Sequence, residues 1–175
     1  MDTTEFEAAY GALLEAAAIA GLGVPSEEAW DVDTVLAHII ASSRMLAAAS
    51  AELLSGRTPV VDNRPTQSRA YFDAIARSAA RRSELVGSVR RCGQELVILA
   101  SQLSEEQTAR RVPTIIVDAG RVRVERPVAF SSLLESGHIH EHLEQLREWL
   151  EGRMSQRAAA RNEGNLCQLA ARAIP

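Results

Sequence analysis

Apolar positions between Thr4 and Ala20 recur every three or four residues. Phe6, Tyr10, Leu13, Leu14 and Ala17 fall on one stripe, which predicts a first amphipathic helix. Gly21-Leu22-Gly23-Val24-Pro25 ends it, because glycine and proline interrupt helices. A second helix is expected after Asp31, whose carboxylate can accept from the free N–H groups of a first turn. Val35, Leu36, Ile39, Ile40 and Leu46 give it a broad apolar face as far as Leu54. Ser55-Gly56-Arg57-Thr58-Pro59 stops it.

Residues 60–66 read as a loop. A third helix opens at Pro65 or Thr66 and runs through Tyr71, Phe72, Ile75, Leu85, Val86 and Val89, with a kink or break expected at Gly93. Leu96, Leu99 and Leu103 continue the helical period, and Ser104-Glu105-Glu106 looks like a further cap and short turn. From Arg111 the pattern changes. Val112, Ile115, Ile116 and Val117, then Asp118-Ala119-Gly120, then Val122 and Val124 predict two short strands around a tight turn, ended by Pro127. A fourth helix is expected from Ser131 or Ser132 to Leu150. Residues 153–161 read as helical, with a break at Gly164-Asn165 and a short terminal helix after it. No repeat and no long linker divides the chain. The expectation is one domain over 1–175, with a core at about 5–152 and a helical extension at 153–175. The fold class is all-α in the main: a four-helix bundle with a short β-hairpin inserted before the fourth helix.

Composition changes this picture little. The chain has 175 residues, 46% hydrophobic and 24% charged, enough for one domain with a real core. Alanine and leucine carry the apolar load, and both favour helix. Every basic residue is an arginine, and the net charge is -4, which argues against a general nucleic-acid binder. Arg77, Arg81, Arg82, Arg90 and Arg91 cluster but alternate with Glu84 and Glu95, as on a solvated helix face. Cys92 and Cys167 are far apart and form no CxxC pattern, so a reducing cytoplasm is expected. The acidic N-terminus does not suit a signal peptide, and the Ala/Leu run after it is too short to span a membrane.

The candidate chemistry lies in the histidines. Three of the four fall in Gly137-His138-Ile139-His140-Glu141-His142. His138 and His142 are four apart, roughly 40° around a helix and one turn up, so both imidazoles can point at one ion. The same spacing also suits a hydrogen-bonded core pair or a chance surface pair. His140 falls on the other side of the helix and is expected to be exposed. The run is not HExxH, because no histidine follows His140-Glu141 at the required spacing: Glu144 stands there and Gln145 comes next, so a zincin peptidase is unsupported. His38, on the apolar face of the second helix, reads by itself as a satisfied core histidine or as a ligand.

A family resemblance bears on that choice. Trp30-Asp31-Val32-Asp33-Thr34-Val35-Leu36-Ala37-His38 resembles the second-helix signature of the DinB/YfiT-like superfamily: a Trp, a polar cap and a Leu-Ala-His ending. His138-x-x-x-His142-x-x-Gln145 resembles that superfamily's fourth-helix motif, and Arg126-Pro127-Val128-Ala129-Phe130 resembles the connection before it. The resemblance spans about residues 5–152, with the three motifs in family order. It implies a four-helix bundle of unusual connectivity. It also implies a three-histidine site for a divalent metal ion, carried here onto His38, His138 and His142. Zinc comes first, with nickel or iron as alternatives. Position 34 is often acidic in the family and is Thr34 here.

Three imidazoles leave a coordination position open, and an open ion can bind a thiol and lower its pKa. The superfamily includes mycothiol-dependent maleylpyruvate isomerases and transferases that attach mycothiol or bacillithiol to electrophiles. In the isomerases a second domain follows the bundle; residues 153–175 stand in that place here. The resemblance therefore points to a metal-dependent thiol S-transferase acting on small electrophiles, with a low-molecular-weight thiol as co-substrate, in a cytoplasmic homodimer. Gln145 would orient a ligand or bound water, or serve as a hydrogen-bonding core residue. Glu141 would accept from an imidazole N–H, or face solvent. The alternative is a non-catalytic metal-binding stress-response or interaction module.

Overall fold

The computed structural model describes residues 3–19, 30–64, 67–118, 121–135 and 138–150. The readings for Gly21–Pro25, for the Ala119-Gly120 turn tip and for the 153–175 extension fall outside them. Helix α1 spans Thr4–Ala18 and buries Phe6, Tyr10, Leu13 and Ala17, the stripe read from the sequence. Helix α2 spans Val32–Leu54. Its cap is the expected one: the Asp31 carboxylate accepts from the Thr34 N–H at 2.7 Å. By length and composition α2 could cross a membrane, but most of it is buried within the bundle, as in a core helix.

The third helix is two helices. Helix α3 covers Arg69–Arg77 and α4 covers Arg82–Ser101. The break falls at residues 78–81, and Gly93 is not a break. Local capping supports this. Ser78 Oγ donates to the Ile75 carbonyl, Arg81 is extended, and the Glu84 carboxylate accepts from the Ala80 N–H at 2.9 Å. Gly93 lies inside α4, and the Tyr10 ring of α1 occupies the space of its missing side chain. A Cβ there would stand 2.6 Å from Tyr10 Cδ1. Arg82 leaves the arginine face to pair with Asp33 of α2 at 2.6 Å.

Helix α5, Glu105–Ala109, begins with a capping box between Ser104 and Gln107. The supposed loop at 60–66 contains a strand, β1, Val61–Asp62. Strand β2 is Arg111–Val112, β3 is Thr114–Asp118, β4 is Arg121–Glu125 and β5 is Val128–Ala129. Strands β3 and β4 form the expected antiparallel hairpin, and β1 adds to β3 in parallel. The ladder slips between Ile116 and Val117, where Asn63 takes over. Its Oδ1 accepts from the Val117 N–H and its Nδ2 donates to the Val117 carbonyl. Strands β2 and β5 pair separately.

The last helix starts later than Ser131 or Ser132. Phe130–Leu133 form a 3-10 turn, and the described part of α6 is 138–150. The single turn buries Phe130 and Leu134 before the chain re-enters the bundle. Ile139, Leu143 and Leu146 of α6 join Leu13, Leu36, Ile39, Val89 and Leu96 in one core. Four long helices thus enclose an apolar centre, with the hairpin in the last connection.

Candidate metal centre

The three histidines singled out by spacing and resemblance come together between α2 and α6. A ligating atom from each lies within 4.8 Å of the others. The ring centroids are 5.0 Å apart for His38 and His138, 5.0 Å for His38 and His142, and 4.7 Å for His138 and His142. His38 is buried, His142 half-buried and His138 exposed, so the cluster runs from the core to the surface. His140 is exposed and stands outside it.

Aromatic rings wall the buried end. Trp30 packs on His38 at 5.0 Å and stacks over His142 at 6.3 Å, and the Phe72 ring meets His38 edge-on at 5.4 Å. That wall removes water. Burial pushes the His38 pKa down to about 3, and the neighbouring His138 and His142 push the same way. His38 is therefore neutral at physiological pH, with a lone pair to give. His38 Nδ1 is buried without a hydrogen-bond partner. The Gln145 Oε1 lies 3.1 Å from His142 Nδ1. A carbonyl oxygen can only accept, so Nδ1 carries the proton and Nε2 keeps its lone pair.

This donor set fits a divalent ion. His38 Nε2 and His138 Nε2 are 3.1 Å apart. Nitrogens bound at about 2.0–2.1 Å to a tetrahedral zinc would sit about 3.3 Å from one another, a few tenths of an ångström away. Three nitrogens also leave a coordination position open, as catalytic sites do.

A cavity of about 310 Å³ opens beside His38 and His138. Glu141 is exposed and lines it; Gln145 is half-buried and reaches His142 instead. Sequence reasoning missed much of the surround. Phe72, Asn63 and Glu135 arrive on separate segments, and no local signal linked them to the histidines. Tyr10 and Ser43 also line the cavity, joined by a 2.6 Å hydrogen bond. Burial raises the Tyr10 pKa to about 12, so it remains a neutral phenol. A larger, open depression of about 810 Å³ lies between α1 and α4, but no histidine or cysteine lines it.

No family model and no curated protein sequence matches this chain. Among solved structures, it is similar to the crystal structure of the mycothiol-dependent maleylpyruvate isomerase, with a TM-score of 0.65 and 15% sequence identity. The match covers 82% of this chain and 58% of that one, so this chain spans little more than half of that protein's length. A likeness at such low identity speaks for architecture and leaves chemistry to the site. The fold of this chain is the DinB/YfiT-like bundle.

Proposed function

We propose that this chain is a divalent-metal-dependent enzyme that transfers a low-molecular-weight thiol to small electrophiles, with His38, His138 and His142 as the metal ligands. One observation carries the reading: three imidazoles from two helices converge, and two of them, His38 and His138, line a cavity large enough for a small molecule. The thiol-dependence of the structurally similar isomerase supports the choice of co-substrate.

Each residue has a part. His38 is held neutral by its aromatic wall and gives the most buried nitrogen. Gln145 fixes the His142 tautomer, so that Nε2 would have a lone pair to offer an ion. His138, being exposed, leaves the open side of the site accessible to substrates. Glu141, at the cavity wall, would take a proton from an arriving thiol. Bound there, the ion would act as a Lewis acid that favours the thiolate at neutral pH. Zinc suits a site of three neutral imidazoles, with nickel or iron as alternatives. We also read the chain as a homodimer, supported by the exposed Ile98 and Val122; a monomeric mass by light scattering would overturn that.

The test is metal content with turnover. His138→Ala should lose the ion and His140→Ala should keep it; equal retention by both overturns the ligand set. The zinc-loaded chain should consume thiol in the presence of a chloroarene or an epoxide and stop when the ion is chelated. Bound metal without turnover on any electrophile would favour the non-catalytic metal-binding module.

A further inference from the structure

Helices α1 and α4 pack side by side, and the depression of about 810 Å³ between them is open. Its floor is apolar. Leu14 and Val97 lie half-buried there, and Ile98 at its edge is 63% exposed. An apolar side chain left in water beside an apolar floor marks a contact surface. Gly11 is a second sign. It sits inside α1, where glycine weakens a helix, and among the described residues nothing stands within 4 Å of where its Cβ would be. Gly93, on the same floor, makes room for Tyr10. Gly11 makes room for nothing in its own chain, but it lets another body approach α1 closely.

The two rims of this groove carry opposite charge. Glu7 and Glu15 stand on the α1 side and Arg90 on the α4 side, all three exposed. Among the described residues neither Glu15 nor Arg90 has an ion-pair partner, and Glu7 accepts from the Thr3 hydroxyl. A second copy of the chain suits such a surface. With a twofold axis running along the groove, α1 of each copy faces α4 of the other, so each acidic rim meets an arginine. With the axis across the groove, α1 would face α1 and glutamates would meet glutamates. The first arrangement also covers both apolar floors at once.

We propose that this chain pairs with a second copy through the α1–α4 groove, about a twofold axis along it, with Glu7 and Glu15 of each copy against Arg90 of the other. The proposal rests on the homodimer reading and deepens it by naming the surface. It owes nothing to the metal or to the histidines.

The test is association of the full chain by sedimentation equilibrium at low salt, with circular dichroism as the check on folding. Two charge-reversal variants are made: Arg90→Glu alone, and Glu7→Arg with Glu15→Arg. Each brings like charges together across both halves of the contact, so its dimer dissociation constant should rise about tenfold or more. Mixed in equal amounts, the two variants oppose unlike charges again and should form a mixed dimer about as tight as the wild type. A folding defect would not recover on mixing. Gly11→Gln meets no other side chain of its own chain, so it should fold as well as the wild type and weaken the dimer about tenfold or more. Val122→Asn, on the β3–β4 hairpin, should leave association unchanged. A mixture that stays monomeric overturns the proposal. So does a wild-type dimer indifferent to Arg90→Glu or to Gly11→Gln, or one that yields to Val122→Asn; these results leave the homodimer reading standing. A monomeric wild type overturns both, so the two failures are distinguishable.

Discussion

Acidifying the metal-free chain should cost it stability from about pH 6.5 downward. The cause is His38. Folded, its pKa lies at about 3, because Trp30 and Phe72 exclude water and His138 and His142 crowd it. Unfolded, it would titrate near the ordinary value of about 6.5. Between those values the unfolded chain takes up a proton that the folded chain refuses, so stability falls as pH falls. Above pH ~6.5 neither state is protonated there and the contribution vanishes. At pH 5 the linkage amounts to about 2 kcal/mol, a large fraction of a typical stability of about 5–15 kcal/mol. With an m-value of about 2 kcal/mol/M, the urea midpoint should drop by about 1 M between pH 7 and pH 5. Urea unfolding followed by circular dichroism, with chelator present, measures it. His38→Leu should flatten that dependence, since leucine does not titrate and suits the apolar wall. Zinc should raise the midpoint at pH 7 in the wild type but not in His38→Leu. A midpoint unchanged between pH 7 and pH 5 in the metal-free wild type would refute the reasoning.

Gly93→Ala should destabilise the chain by about 1–3 kcal/mol, because its Cβ would meet the Tyr10 ring at 2.6 Å and Ser43 holds that phenol in place; thermal unfolding reads this. Gln145→Ala should weaken zinc binding by about 10–100-fold without unfolding the chain, since it frees the His142 tautomer; a competitive chelator titration reads this, and unchanged affinity would remove Gln145 from the site. Asn63→Ala should cost about 1–3 kcal/mol by stripping the Val117 amide and carbonyl of their partner. Faster exchange of the Val117 amide proton would mark the damage as local.

The parts of the fold legible in the sequence were those governed by short-range rules. The α1 stripe, the Asp31 cap, the Ser104 capping box and the β3–β4 hairpin each depend on residues a few positions apart. The break at 78–81 was missed although its capping is local, but two other misreadings have long-range causes. Gly93 reads as a breaker because a glycine inside a helical pattern usually weakens it. Here its cause is a ring on another helix, 83 positions upstream at Tyr10. Strand β1 is two residues long and pairs with a strand more than 50 positions away, so it leaves no alternation to detect. The histidines were legible as a group only because two share one helix face and the third sits in a recognisable motif. Phe72, Asn63 and Glu135 share no such frame.

The polar residues of α2 show why His38 stands apart. The helix buries Thr34, His38, Ser43 and Ser50 among its apolar side chains. Ser43 and Ser50 return their protons to the carbonyls of Ile39 and Leu46, one turn back on the same helix, so neither needs a partner elsewhere. An imidazole cannot be satisfied in that way. His38 reaches His138, 100 positions away, with one nitrogen and leaves the other buried without a hydrogen bond. Packing does not call for this arrangement, because a leucine would fill the space against Trp30 and Phe72 with no polar group to desolvate. Its acid cost falls on the metal-free fold alone, since a bound ion would compete with the proton for the same nitrogen. A residue that burdens the empty fold and whose strain a ligand would relieve is what a binding site looks like from the side of stability.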